Sequence, residues 1–193
     1  MNLTTKNIGK TFSGVNVLRK VNFDLNPGEV HALVGENGAG KSTFVKILSG
    51  VYTPTEGDIF LDSKKIQINT PITAQKNGVS LIHQEPQSFS HLSVAENIFM
   101  GHMDGSNFSR VKWKDINKSS EKILSSIGLE IDPKNIMEGL SIADQQMIEI
   151  AGALSKNSKI LIMDEPTSPL TPNEVGKLFD IVKQLKDQGM AII

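Results

Sequence analysis

The chain has 193 residues, a length at which one domain with one core is expected. Its 20 basic and 21 acidic residues give a net charge of −1, which offers no electrostatic basis for binding nucleic acid or an anionic membrane surface. Cysteine is absent, so disulfides and thiolate chemistry are excluded and a cytoplasmic location is expected. The sequence shows neither the apolar core of a secretory signal nor a run of about 18 apolar residues that would span a bilayer.

The hydrophobic pattern of the first ninety residues predicts mainly strands. Apolar and polar residues alternate in 3–9 and 17–25, which indicates two half-buried strands joined by a turn at Ser13-Gly14. The continuous apolar run 30–34 indicates a buried parallel strand. The elements expected after it are a helix over 41–49, a strand at 59–61, a helix starting in 71–76 and a strand at 79–82.

From about Ser93 to Leu154, apolar residues recur at helical spacing, and helices are expected over 94–100, 113–127 and 141–155. The sequence therefore predicts a single domain over 1–193, organised as a helical subdomain at 93–155 inserted into a core with a β subdomain at 1–92 and 156–193. The elements predicted after the insertion are a buried strand at 160–163, a helix over 173–188 and a last strand from about Met190.

A glycine-rich turn after the third predicted strand, Gly35–Ser42, matches GxxxxGK[ST], the phosphate-binding P-loop. Its three glycines let successive backbone N–H groups approach a polyphosphate, and the following helix directs the positive end of its dipole at the anion. Lys41 would reach the β- and γ-phosphates, and Ser42 would ligate Mg²⁺. The alternative is an ordinary glycine turn before a surface helix, which the strand–loop–helix order disfavours.

Two acids, Asp164 and Glu165, follow the predicted strand at 160–163. Asp164 fits the Mg²⁺-associated carboxylate of P-loop enzymes, and Glu165 fits a group that polarises an attacking water. Gln84, also at a strand end, is a candidate to reach the metal or the water. The alternative for the acid pair is a solvated strand end, although the four apolar residues before it favour the edge of a pocket.

With these residues in place, the chain resembles the ATP-binding cassette of ABC transporters over essentially its full length. The matching motifs are Walker A at 35–42, the Q-loop at Gln84, the signature at 140–146, Walker B at 160–165 and the D-loop at 168–171. The stretches LIHQEP, LSIADQQMIEIAGALS and MDEPTSPLT are most similar to the N-terminal cassette of tandem proteins that energise ribose-, galactose- and xylose-type sugar importers. The resemblance implies an α/β fold: a P-loop NTPase core with a mixed, mainly parallel sheet, an antiparallel β subdomain and an inserted α-helical subdomain.

The resemblance also implies a site for ATP and Mg²⁺. Its catalytic residues would be Glu165, Gln84 and Lys41, and its metal ligands Ser42, Gln84 and Asp164. Phe12 matches the aromatic position on which adenine stacks, the alternative being a core Phe on the first strand. The residues expected at the nucleotide are Phe12, Gly35, Asn37, Gly38, Ala39, Gly40, Lys41, Ser42 and Thr43.

In this family two cassettes close head to tail, and Ser141 matches the signature serine that contacts, in trans, the γ-phosphate of the opposite cassette. Residues 142–144 depart from the usual Gly-Gly-Gln, and their added side chains, one of them acidic, should weaken that contact. The family also places a histidine shortly after the strand near Met190, beyond the end of this sequence. We therefore expect a cassette truncated at the C terminus that binds ATP but hydrolyses it weakly alone.

The partners implied are a second cassette, transmembrane permease subunits and, indirectly, a substrate-binding protein, at the cytoplasmic face of the membrane. Nucleic acid is not among them. Residues 85–101 lie where the family docks a helix of the membrane subunit, with Phe89, Leu92 and Phe99 as candidate contacts. The alternative for each is packing onto the chain's own core.

The leading hypothesis is an ATPase that energises carbohydrate import. An importer of another small molecule, such as a furanosyl autoinducer, is the nearest alternative. A soluble ABC ATPase without membrane subunits is a third, disfavoured because no long charged or coiled-coil insertion separates Gln84 from Ser141. A non-catalytic nucleotide sensor is the fourth.

Overall fold

The computed structural model describes residues 1–101 and 111–193. Residues 102–110 of the predicted helical subdomain lie outside these ranges. The chain forms two compact units: the first contains Met1–Leu81, Ser158–Asp164 and Leu185–Ile193, and the second contains Ile82–Asn157 and Glu165–Gln184. No helix in the two described ranges is long and apolar enough to cross a bilayer.

The first unit contains an antiparallel sheet with the strand order β2-β1-β3-β4. Its strands are β1 (Leu3–Phe12), β2 (Val15–Leu25), β3 (Glu56–Leu61) and β4 (Lys64–Ile66). The predicted hairpin of the first two strands is confirmed: Phe12 pairs with Val15, and Ser13 and Gly14 make the turn at φ values of 46° and 83°. Both turn residues have positive φ, as the commonest two-residue hairpin turn requires.

Strand β4 was not expected from the sequence. Its hairpin with β3 is closed by Asp62 and Ser63, which adopt φ values of 47° and 64°. Neither residue is glycine, so the turn lacks the usual sequence signal of a tight hairpin.

A second sheet of the first unit has the order β5-β6-β7, with β6 and β7 parallel. Its strands are β5 (Val79–Ile82), β6 (Ile160–Met163) and β7 (Ala191–Ile192). The predicted strands at 79–82 and 160–163 are confirmed, and Ile160, Leu161 and Ile162 are completely buried. β6 therefore carries the chain through the core and delivers Asp164 at its carboxyl end.

The predicted buried strand at 30–34 is wrong. Among the described residues, Val30 alone of this run forms a bridge, parallel to Ile192, and the His31 N–H donates to the Ile192 carbonyl oxygen over 2.8 Å. Val30 is 45% exposed and Val34 is 91% exposed. Leu33 packs against the core while Ala32 and Val34 are exposed, so the run lacks the two covered faces of a buried parallel strand.

Two helices of the first unit match their predictions, α1 (Lys41–Leu48) and α2 (Pro71–Lys76). α1 packs into the core through four buried residues: Phe44, Val45, Ile47 and Leu48. Gly50 follows the helix at φ 78°, and a Cβ there would lie 2.3 Å from the Thr70 carbonyl oxygen, so only glycine fits. Thr70 in turn caps α2 by accepting the Thr73 N–H over 3.1 Å.

The second unit is helical, as predicted for this part of the chain. Its helices are α3 (Val94–Phe99), α4 (Trp113–Ser126) and α5 (Ile142–Ser155), together with most of α6 (Pro172–Asp187). α3 begins with a capping box, in which the Glu96 N–H donates to Ser93 Oγ and the Ser93 N–H donates to the Glu96 carboxylate. The Ser93 hydroxyl also donates to the Glu96 carboxylate over 2.6 Å, and this bond, together with the one from the Ser93 N–H, holds the pKa of Glu96 below its usual value.

Candidate nucleotide-binding site

Residues 35–40 form an exposed turn that leads directly into α1. Gly38 and Gly40 have φ values of 85° and 92°, in the left-handed region that favours glycine. A Cβ on Gly40 would also lie 2.6 Å from Leu18 Cδ2 and 3.1 Å from the Val17 carbonyl oxygen. The loop therefore requires glycine at residue 40 for two reasons, its backbone conformation and its close approach to β2.

The N-terminus of α1 is free to receive an anion. Its N-cap residue is Gly40, and no side chain of the part of the chain that the structure describes caps the helix. Within the described ranges, the N–H groups of Lys41, Ser42 and Thr43 have no hydrogen-bond acceptor, whereas the Phe44 N–H donates to the Gly40 carbonyl oxygen over 2.9 Å. Free first-turn N–H groups at the positive end of a helix dipole are a suitable binding site for phosphate.

Lys41 is held within the same loop. Its Nζ donates to the carbonyl oxygens of Gly35 and Glu36, over 2.7 and 3.1 Å. A Cβ on Gly35 would lie 3.3 Å from Ala39 Cβ and 3.9 Å from Lys41 Cδ, so the inside of the turn is closely packed. The loop therefore positions a cation beside its exposed N–H groups, where a polyphosphate would be neutralised.

Phe12, at the end of β1, is 37% exposed and does not belong to the buried core cluster. Its ring meets Tyr52 edge to face, with the centroids 5.2 Å apart and the planes at 71°. Lys10 Nζ lies 5.0 Å from the Phe12 centroid and 5.8 Å from that of Tyr52. Sequence reasoning missed Tyr52, although it is the one tyrosine in the chain and closely follows α1.

The acid pair lies where β6 ends. Asp164 is half-buried, and Glu165 is exposed with a φ of 48°. Left-handed backbone at a glutamate costs of order 1 kcal/mol and is concentrated at functional sites. The Ser168 N–H donates to the Glu165 carbonyl oxygen over 3.2 Å and closes the turn after it.

In the second unit the structure brings the predicted residues Gln84 and Glu165 together. Gln84 Nε2 donates to Glu165 Oε2 over 3.3 Å and lies 3.5 Å from Ser168 Oγ. An amide N–H on one carboxylate oxygen orients the group and leaves the other oxygen available to a water molecule. Phe12, the P-loop and Asp164 belong to the first unit.

Ser141, the predicted signature serine, is the N-cap of α5. Its Oγ accepts the Asp144 N–H over 3.1 Å and donates to Asp144 Oδ2 over 2.8 Å. The hydroxyl proton of Ser141 and the N-terminus of its helix are thus both engaged with the same acidic residue. A carboxylate at this position already stabilises the helix dipole and would repel a second anion.

Comparison with known proteins gives a consistent result. Residues 18–168 match the family model described as ABC transporter. The chain is 46% identical over 191 residues to ribose import ATP-binding protein RbsA 2 of Streptomyces avermitilis and 48% identical over 192 residues to ribose import ATP-binding protein RbsA of Clostridium tetani. Each match covers 99% of this chain and 38% of the relative, so the chain spans well under half the length of these curated relatives.

Solved structures show the same relationship. The crystal structure of the ADP conformation of an ATP-binding cassette of an ABC transporter has a TM-score of 0.87 at 27% identity, covering 100% of this chain and 80% of that chain. A dimeric ATP-binding cassette in a post-hydrolysis state, bound to ADP and Pi, has a TM-score of 0.80 at 25% identity, covering 98% and 85%. These matches confirm the predicted fold class, and since the family model covers more than half of the chain, the chain belongs to the ABC transporter family as an ATP-binding cassette.

Proposed function

We propose that this cassette binds and hydrolyses ATP and thereby energises the import of a carbohydrate. The observation that carries the proposal is the P-loop, in which free N–H groups of α1 and the Lys41 ammonium lie beside one another on an exposed surface. The names of the relatives, ribose import ATP-binding proteins, support sugar as the transported substrate.

In the proposed complex the loop wraps the phosphates. The contacts assigned to it come from Gly35, Asn37, Gly38, Ala39, Gly40, Lys41, Ser42 and Thr43. Lys41 would exchange the carbonyl oxygens of Gly35 and Glu36 for phosphate oxygens, which are stronger acceptors for an ammonium group. Phe12 would stack on adenine, with Tyr52 supporting its ring from the edge.

The oxygen atoms that could act as metal ligands at this site are of the kind that Mg²⁺ prefers. Magnesium prefers hard oxygen ligands and takes only one or two carboxylates together with substrate phosphates. Ser42 offers a hydroxyl that has no hydrogen-bond partner within the described ranges, and Asp164 offers a half-buried carboxylate. We assign Ser42, Asp164 and Gln84 as the ligands; the bound ion would supply positive charge to the phosphate oxygens.

Hydrolysis in this proposal is an in-line attack of water on the γ-phosphorus: the new P–O bond forms while the bond to the bridging oxygen of ADP breaks, and Glu165 accepts the proton of the water as a general base. Glu165 orients and polarises the water, and the Gln84 amide keeps the Glu165 carboxylate aligned. Lys41 stabilises the negative charge that develops on the transferred group.

The partners assigned are a second cassette, permease subunits at the cytoplasmic face of the membrane and, through them, a substrate-binding protein. Residues 93–155 would form the signature subdomain, with Ser141 acting in trans on the nucleotide of the second cassette. Because Asp144 already occupies the N-terminus of α5, that nucleotide should be held more weakly than the one at this chain's own P-loop.

The test is nucleotide binding by the Lys41→Ala variant, with Lys183→Ala, which removes an exposed lysine of α6, as the control. We expect Lys41→Ala to weaken ATP binding at least about tenfold, since it removes charge-assisted bonds to phosphate, and the control to bind normally. Unchanged affinity in Lys41→Ala would refute the phosphate site. For the transport role, ATP-dependent uptake of labelled ribose by vesicles containing the assembled importer should be lost in the same variant.

A further inference from the structure

The loop that follows Gln84 is held by side chains from two helices of the second unit. Residues 83–92 contain no helix or strand. From α3, Asn97 accepts the Phe89 N–H at Oδ1 over 2.8 Å and donates from Nδ2 to the Ser93 carbonyl oxygen over 2.9 Å. This contact fixes the end of the loop that lies farther from Gln84.

The end nearer to Gln84 is held by α5. The Glu149 carboxylate accepts the Gln87 N–H, and Gln145 Oε1 accepts the Ser88 hydroxyl over 3.0 Å. Residues four apart on a helix share one face, so Gln145 and Glu149 form a pair of acceptors for two consecutive loop residues. The bonds reach the loop three and four residues after Gln84.

The side-chain amide nitrogen of Gln145 makes a second contact, at the start of α5. This atom, Nε2, donates to the Leu140 carbonyl oxygen over 3.0 Å, one residue before the N-cap Ser141. A single side chain therefore connects the loop after Gln84 with the start of the helix that carries the signature serine. Movement at either end changes the hydrogen-bond geometry at the other.

We infer that Gln145 and Glu149 are positioning residues for Gln84, because they fix its loop to α5 and so keep the Gln84 amide within reach of the Glu165 carboxylate. The inference rests on the proposed function, in which Gln84 and Glu165 serve ATP hydrolysis. Neither residue touches the reacting atoms in this proposal. Each acts through the backbone or side chains of residues 87 and 88.

Two measurements on the protein test the inference: amide hydrogen exchange over residues 86–89, and kcat and KM for ATP. We expect Glu149→Ala to accelerate exchange of the Gln87 amide about tenfold, since an acceptor with ionic character is lost. The same change should lower kcat about three- to tenfold with little change in KM, since it disturbs alignment rather than nucleotide binding.

Conservative variants sharpen the test. Glu149→Gln keeps an oxygen acceptor for the Gln87 N–H and should restore slow exchange and most of kcat. Gln145→Glu keeps an oxygen that accepts the Ser88 hydroxyl but loses the N–H that donates to the Leu140 carbonyl oxygen. This variant therefore distinguishes the effect of the bond to Ser88 from that of the bond to Leu140. Glu121→Ala, which removes an exposed carboxylate of α4, is the control and should change neither readout.

Unchanged exchange in Glu149→Ala would overturn the inference, and so would faster exchange with an unchanged kcat. If instead the proposed role of Gln84 in hydrolysis is wrong, the Gln84→Ala variant will hydrolyse ATP at the same rate as the parent. In that case the exchange data would still show whether α5 holds the loop.

Discussion

Gln84 donates a hydrogen bond from its side-chain amide to the carboxylate of Glu165 across 3.3 Å. The two residues are 81 positions apart in the sequence, and each follows a strand, β5 for Gln84 and β6 for Glu165. The bond fixes one carboxylate oxygen in a residue whose backbone is itself in the left-handed conformation. Orientation of this acid is therefore determined both by its own backbone and by a distant side chain.

Replacing Glu165 by Gln should abolish most ATP hydrolysis and leave ATP binding intact. Loss of a general base lowers a rate by about 10²- to 10⁴-fold, and the amide retains the size of the carboxyl group. Phosphate release and equilibrium nucleotide binding, measured on the same preparation, check the prediction. Glu130→Gln, at an exposed position, is the matched control, and a hydrolysis rate equal to that of the control would contradict the assigned role.

Gly40→Ala should reduce both folding stability and ATP affinity. The new Cβ would meet Leu18 Cδ2 at 2.6 Å on a backbone at φ 92°, and such strain costs about 1–3 kcal/mol. Chemical denaturation measures the change. Gly176→Ala is the control: Gly176 lies within α6, and no atom of the described residues comes within 4 Å of the added Cβ, so this variant should be slightly more stable than the parent. Equal effects of the two substitutions would show that the loop tolerates a side chain at residue 40.

Asp144→Asn should have opposite effects on stability and on assembly. The variant loses a carboxylate at the N-terminus of α5 and should be less stable by about 0.3–1 kcal/mol. Removal of the same charge should strengthen ATP-dependent association with a second cassette, because it no longer repels the γ-phosphate. Denaturation and sedimentation with and without ATP measure the two effects, and Asp24→Asn, which removes an exposed carboxylate of β2, is the control. Association that weakens together with stability would contradict the electrostatic argument.

Glu149 should make the stability of the protein depend on pH near neutrality. Burial raises the pKa of Glu149 from 4.5 to about 7, even though the Gln87 N–H and the charge of Lys156 favour its ionised form. Between about pH 4.5 and 7 the folded protein binds more protons at this residue than the unfolded chain does, so the free energy of unfolding falls as pH rises through this window. Denaturation at several pH values should show this slope in the parent and a shallower one in Glu149→Gln. Identical slopes would show that the carboxyl group titrates normally.

The sequence predicted the glycine turn before α1 and the ends of β5 and β6 correctly because their signals are local. Glycine spacing, a lysine before a hydroxyl residue, and apolar runs that end in polar side chains lie within a few neighbouring residues. For the same reason, each end of the helices α1 and α3 to α6 was predicted to within one residue.

Other features depend on residues that are distant in the sequence. Burial of 30–34 was inferred from its composition, but a buried parallel strand needs a neighbouring strand along its length, and within 1–101 and 111–193 Val30 alone of this run forms a bridge, to Ile192. The bonds from α5 to residues 87 and 88 join positions 62 and 57 residues apart and carry no sequence motif. The support of Phe12 by Tyr52 likewise arises only when the β1–β2 hairpin packs beside the end of α1.

The exposed segment before the P-loop has a practical consequence for work with the protein in solution. Within the described ranges, the backbone groups of residues 32–34 pair with no strand, and although Leu33 packs against the core, Ala32 is exposed and Val34 is 91% exposed. Such a segment is a template on which other chains can add as strands. Preparations of the 193-residue chain should therefore self-associate with rising concentration, and a lysine in place of Val34 should suppress the light scattering without altering the glycine loop that follows.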